Sequence, residues 1–128
     1  MLLNLLSTFS GHAATSDWSQ FLDPNRDGIM KKGRLSRSWP SNGPKVIWTF
    51  KVGEGFGGAS ISKGEVSLLD RVNDEKDVLR CLDLETGTEL WNISFDVPGR
   101  LSYNGSRSTP TIGKKRIYAI TPLATSTV

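Results

Sequence analysis

Cys81-Leu82-Asp83-Leu84-Glu85-Thr86-Gly87-Thr88-Glu89-Leu90-Trp91 is the stretch on which the fold turns. It closes the apolar run Val78-Leu79-Arg80-Cys81-Leu82-Asp83-Leu84, which carries apolar residues on both faces, as a strand covered on both sides should. Glu85-Thr86-Gly87 then reverses the chain. Asp and Thr side chains can satisfy backbone groups in such a turn, and Gly supplies a positive φ. Leu90, Trp91, Ile93 and Phe95 carry a further strand away from it.

Working outward, Val46, Trp48, Phe50 and Val52 alternate with Ile47, Thr49 and Lys51, the period of a strand over residues 46–52. Ala59-Ser60-Ile61-Ser62 and Glu65-Val66-Ser67-Leu68-Leu69 flank Lys63-Gly64 and read as a tight hairpin. Residues 70–77 are strongly polar and read as a connection. The pattern then recurs, first after 43 residues and then at a wider spacing, because the loop from Pro98 to Arg107 is longer in the second copy. Trp91 returns to the place of Trp48, Ser108-Thr109-Pro110-Thr111-Ile112 echoes the Ala59 strand, and Arg116-Ile117-Tyr118-Ala119-Ile120 echoes the Glu65 strand. Four short strands per unit suit a propeller blade better than a sandwich.

The quoted stretch resembles the Ala-x-Asp-x-x-Thr-Gly-x-x-x-Trp repeat of the pyrroloquinoline-quinone-type, or quinoprotein-type, β-propellers, with Cys81 in the place of Ala. The arm Asp17-Trp18-Ser19-Gln20-Phe21-Leu22-Asp23-Pro24-Asn25-Arg26-Asp27-Gly28, followed by Trp39-Pro40 and Gly43-Pro44, is similar to the opening of bacterial exported proteins of this group, where Asp23 would more often be Gly. The resemblance implies an all-β fold: a partial β-propeller of four-stranded antiparallel blades, an incomplete ring with an irregular N-terminal arm. In that frame residues 15–45 are a docking arm and 46–128 the partial propeller. Residues 46–52 form a closing outer strand, 59–95 blade one and 108–120 an incomplete blade two, with no third strand expected after Ile120. The structural blade motif is Cys81, Asp83, Thr86, Gly87 and Trp91, together with Trp48. A fragment of this kind is expected to rely on the remaining blades of its own ring.

Residues 1–14 are apolar and end in small residues, which reads as a truncated signal peptide of a periplasmic or secreted protein of the cell envelope, or else as a buried N-terminal segment. The segment is too short to span a bilayer. The chain has 128 residues, 37% of them apolar, and a net charge of +3 spread among alternating signs, so a packed core is attainable and a nucleic-acid partner has no electrostatic footprint. Lys31-Lys32-Gly33-Arg34 and Lys114-Lys115-Arg116 sit where the apolar pattern breaks, which favours solvated turns over a phosphate-binding stripe.

Several signals imitate chemistry. Gly53-Glu54-Gly55-Phe56-Gly57-Gly58 matches G-x-G-x-x-G with Asp74 about 20 residues on, but residues 59–69 alternate and offer no helix N-terminus for a pyrophosphate. Asp23 to Gly28 imitates half a calcium loop, yet its twelfth position is Arg34, which repels the ion. Asn92-Ile93-Ser94 and Asn104-Gly105-Ser106 are formal glycosylation sequons that carry no weight, since the first lies in an expected strand and the resemblance implies a bacterial source. Trp18, Trp39, Trp48 and Trp91 favour packing over a sugar platform. Cys81 is the sole cysteine and excludes an internal disulfide; His12 is the sole histidine and lies in the leader.

No residue is therefore singled out as catalytic, cofactor-binding or metal-binding. The resemblance implies a non-catalytic binding or scaffold module, similar to the propeller component of outer-membrane protein assembly, with envelope proteins as partners. The alternative is a fragment of a pyrroloquinoline-quinone-dependent dehydrogenase, whose quinone and calcium would be held by blades outside this chain. A weaker third reading is an exported sensor or kinase ectodomain.

Overall fold

The computed structural model describes residues 17–30, 36–100, 102–121 and 125–127. The expected signal at 1–14, His12 and the Lys31-Lys32-Gly33-Arg34 cluster lie outside them. The described residues are all-β, with no helix. Strands β1 (Ser60–Ser62), β2 (Glu65–Val72), β3 (Lys76–Asp83) and β4 (Glu89–Asp96) form one antiparallel sheet in sequence order. Strands β5 (Thr111–Ile112), β6 (Ile117–Ile120) and β7 (Thr125–Thr127) form a second.

The β1–β2 hairpin turns at Lys63 and Gly64, both at positive φ (52° and 81°), the pairing that a two-residue turn needs to match strand twist. β2 and β3 pair without interruption from Glu65↔Asp83 to Val72↔Lys76. Residues 70–77 are thus not a polar connection: only 73–75 turn the chain, with Asn73 and Asp74 at positive φ, which their short polar side chains tolerate. Three of the charges that made this stretch look like a loop, Asp70, Arg71 and Asp77, are buried and paired. Arg71 (3% exposed) faces its register partner Asp77 (0%) at 3.1 Å, and its guanidinium also donates to the carbonyls of Asp74, Val97 and Gly99 at 2.7–2.8 Å. Removing one member of such a pair strands the other, at a cost of about 3–5 kcal/mol.

Cross-strand partners share a face, so the ladder sorts the sheet into two sides. One carries Cys81 and Trp91, Leu69, Leu79 and Ile93, and Arg71, Asp77 and Phe95; the other carries Val66 and Leu82, Arg80 and Asn92, and Asp70 and Val78. The first side packs on the second sheet. Leu69, Leu79 and Ala119 of β6 form the core, with Trp91, Phe95 and Ile117 against it. A short arm joins the two sheets. Trp18 exchanges backbone hydrogen bonds with Ile61 of β1 at 2.8 and 2.9 Å, while the Ile112 amide of β5 donates to the Ser19 carbonyl at 2.7 Å.

Residues 46–52, expected to close a ring as the outer strand of its last blade, form no ladder with any described strand, and that blade is not among the described residues. Trp48 and Phe50 are half-buried while Val46, Ile47 and Val52 stay exposed. One further expectation is corrected, for a third strand does follow Ile120: Thr125–Thr127 pairs with β6 from Ile120↔Thr125 to Tyr118↔Thr127, in keeping with the β propensity of Thr. In the arm, Trp18 docks, but Phe21 (67% exposed) and Trp39 (55%) do not. Asp23 adopts φ of 74° and is nonetheless buried.

Leu79 is fully buried at the contact between the sheets. Leu79→Ala is expected to cost about 2–5 kcal/mol through lost burial and a residual cavity, read as a lowered urea midpoint with little change in m.

Candidate functional site

The turn after β3 is built as its residues require. The Asp83 carboxylate accepts from the amides of Glu85 (3.0 Å) and Thr86 (2.7 Å) and from the Thr86 hydroxyl (2.8 Å). The backbone closes around it: Gly87 N–H donates to Asp83 C=O at 2.8 Å, and Asp83 N–H to Thr88 C=O at 2.8 Å. Gly87 sits at φ of 71°, and a Cβ there would fall 2.5 Å from the Trp48 ring, so only glycine fits. Trp48 lies flat against the turn and donates its indole N–H to the Leu84 carbonyl at 2.9 Å. These contacts hold the Asp83 carboxyl below the usual carboxylate range, with the Thr86 hydroxyl as the main cause. Trp48 and Trp91 therefore do different things. Trp48 covers the turn between β3 and β4, whereas Trp91 belongs to the contact with the second sheet.

Cys81 is fully buried, and its Sγ lies 3.5 Å from Glu65 Oε2. Burial first, and the Glu65 carboxylate second, push the thiol up to about 12. It is a packing residue. A one-residue bulge follows it, because Cys81 pairs with Trp91 but Leu82 with Glu89. Leu90 is thereby extruded (49% exposed), and Glu89 swings to the side of Arg80. There Arg80 joins Glu89 (3.0 Å) and the buried Asp70 (2.9 Å), with Phe50 stacked 5.8 Å away. Asp70 also receives the Gly53 amide at 2.8 Å. Simple alternation along β4 hides this network, since it puts Glu89 beside Trp91.

The glycine-rich loop is a backbone-packing device. Phe56 and Gly57 amides donate to the Ser106 carbonyl at 2.6 and 3.0 Å, and β1 follows with no helix between. A Cβ on Gly105 would lie 1.8 Å from the Glu54 carbonyl oxygen, so side chains would force these segments apart. At the calcium-like turn, the Asp23 carboxylate is engaged by the Asn25 amide. Among the described residues no three His, Cys, Asp or Glu converge as metal ligands.

What does converge is a cleft of about 310 Å³ between the two sheets. The β1–β2 turn contributes Ser62 and Lys63, β2 contributes Glu65 and Ser67, β4 contributes Trp91, and the β5–β6 region contributes Ile112 to Ile117. Lys63 thus meets Lys114, Lys115 and Arg116, which lie about 50 residues further along the chain. Lys114-Lys115-Arg116 stands out in the sequence; Lys63 is an isolated turn residue there, and only the docking of the sheets unites them. No helix among the described residues is long and apolar enough to cross a membrane. Comparison with protein-family models and with curated proteins finds no match.

Two outcomes follow from the motif turn and its neighbour. A carboxyl with a lowered folded pKa adds stability that is complete above the unfolded value near pH 4 and is lost as pH falls through the folded one. Acid titration of the unfolding midpoint should therefore show a smaller loss below about pH 4 in Asp83→Asn than in the parent chain. For Cys81, a rise from 9.0 to about 12 leaves on the order of a thousandfold less thiolate at neutral pH. Iodoacetamide labelling at pH 8 should be slower in the native chain than in urea by at least about a hundredfold; equal rates would contradict the buried, acid-flanked thiol.

Proposed function

We propose that this chain is a repeat module of an exported, quinoprotein-type β-propeller, with a non-catalytic protein-binding or scaffold role in the bacterial cell envelope. The observation that carries the reading is the Asp83-Thr86-Gly87 turn, locked under Trp48 and leading into Trp91 at the contact with the second sheet. Such a turn spends its polar groups on backbone, leaving them no substrate to act on. Two antiparallel sheets in sequence order, each with a short first strand followed by a hairpin, support a repeat whose units bury their faces against one another. The outer edge of β4 has no ladder partner among the described residues, and its backbone groups are available to a neighbouring strand.

The test has two arms. The protein with all the blades of its ring, incubated with pyrroloquinoline quinone, calcium and a primary alcohol or aldose as electron donor, should reduce a redox dye no faster than a protein-free control; robust turnover overturns the non-catalytic reading. A photo-crosslinking residue at exposed Asn92 or Ser94, in chain directed to the periplasm, should give a discrete envelope-protein adduct. Failure of both positions to do so counts against the binding role.

A further inference from the structure

We infer that the cleft between the two sheets is a binding site for a small phosphate monoester with an apolar or aromatic body. The inference stands on the cleft and is independent of the propeller reading. Lys63, Lys114, Lys115 and Arg116 line one space, and none of the four forms an ion pair with a described residue. All four are exposed residues of the cleft wall, and four positive charges around one concavity make it a region of positive potential that favours an anion.

The character of the space narrows the ligand. Trp91 is half-buried and forms part of the lining, with Ile112 and Ile117, so a flat or apolar group has a surface to lie on. Lysines serve phosphate as point charges and arginine as a fork. A phosphate monoester carries about 1.5 to 2 negative charges at pH 7, which suits four cations better than a single carboxylate does. Glu65 is the acid in the lining, and its carboxylate already lies beside the Cys81 thiol. It disfavours an anion at the β2 wall and so directs the phosphate toward Lys114, Lys115 and Arg116. The cleft's size matches the lower end of ligand pockets, about 300 Å³, which selects a small molecule over a polymer.

Phenyl phosphate, inorganic phosphate and benzyl alcohol separate the parts of this inference by calorimetric or NMR titration of the full chain. Phenyl phosphate is expected to bind at least about tenfold more tightly than either of the others, more weakly at high salt, and more tightly as pH rises through about 6, where the second phosphate proton leaves. Lys114→Ala/Lys115→Ala should weaken it at least about tenfold with the circular dichroism spectrum unchanged. Lys45→Ala/Lys51→Ala, away from the cleft, should leave it unaltered. If the first double variant does not fold, Lys63→Gln supplies the same reading and should weaken binding several-fold. The inference is overturned if phenyl phosphate does not saturate, if benzyl alcohol binds equally well, or if cleft and control variants weaken binding alike.

Discussion

β2 and β3 are buried on both faces, and most of the structure follows from the need to cover them twice. Leu69 and Leu79 look to one side, Val66, Val78 and Leu82 to the other, and all five are below 7% exposed. A four-stranded sheet cannot cover itself. One side is closed by the second sheet through Ala119 and Ile117, the other by residues 48–53, which lay Trp48 on the turn, Phe50 over Arg80 and the Gly53 amide on Asp70. The apolar area removed from water is the driving term, at roughly 25 cal/mol per Å². The hydrogen bonds decide which segment lies where.

Covering both faces also encloses charge. Asp70, Arg71 and Asp77 lie within strands at 4% exposure or less, so each needs a partner. Arg71 meets this by reaching the loop beyond β4, and Asp70 by taking the Gly53 amide and Arg80. These polar contacts join segments that apolar contact leaves free to slide. The bulge at Leu90 belongs to the same arrangement, since without it Glu89 stands on the side of Trp91 and Arg80 loses one carboxylate.

The cleft is the remainder of the same geometry. The two sheets touch along Leu79, Trp91 and Ala119 and part toward the β1–β2 and β5–β6 turns, where Lys63 and Lys114 to Arg116 face a common space. Turn residues that look independent in sequence become one electrostatic feature because the sheets dock through their apolar centres. Positive potential focused in a concavity between low-dielectric walls is stronger than the same charges on an open surface.

The sequence by itself determined the all-β class, the Lys63-Gly64 hairpin and the Thr86-Gly87 reversal, because each depends on local chemistry: side-chain alternation, positive φ and polar groups that satisfy nearby backbone. It could not reveal that residues 70–77 continue two strands, because Arg71 and Asp77 read as exposed until each is seen to face the other. It could not show that Thr125–Thr127 gains a ladder, since a strand is defined by a partner and not by its own pattern. The position of Glu89 required the bulge, and the convergence of Lys63 with Lys114, Lys115 and Arg116 required the sheets to dock. These are all relations between distant segments. Only the tertiary structure decided them, because burial and pairing energies depend on which surfaces meet, and a single strand of sequence carries no record of its neighbour.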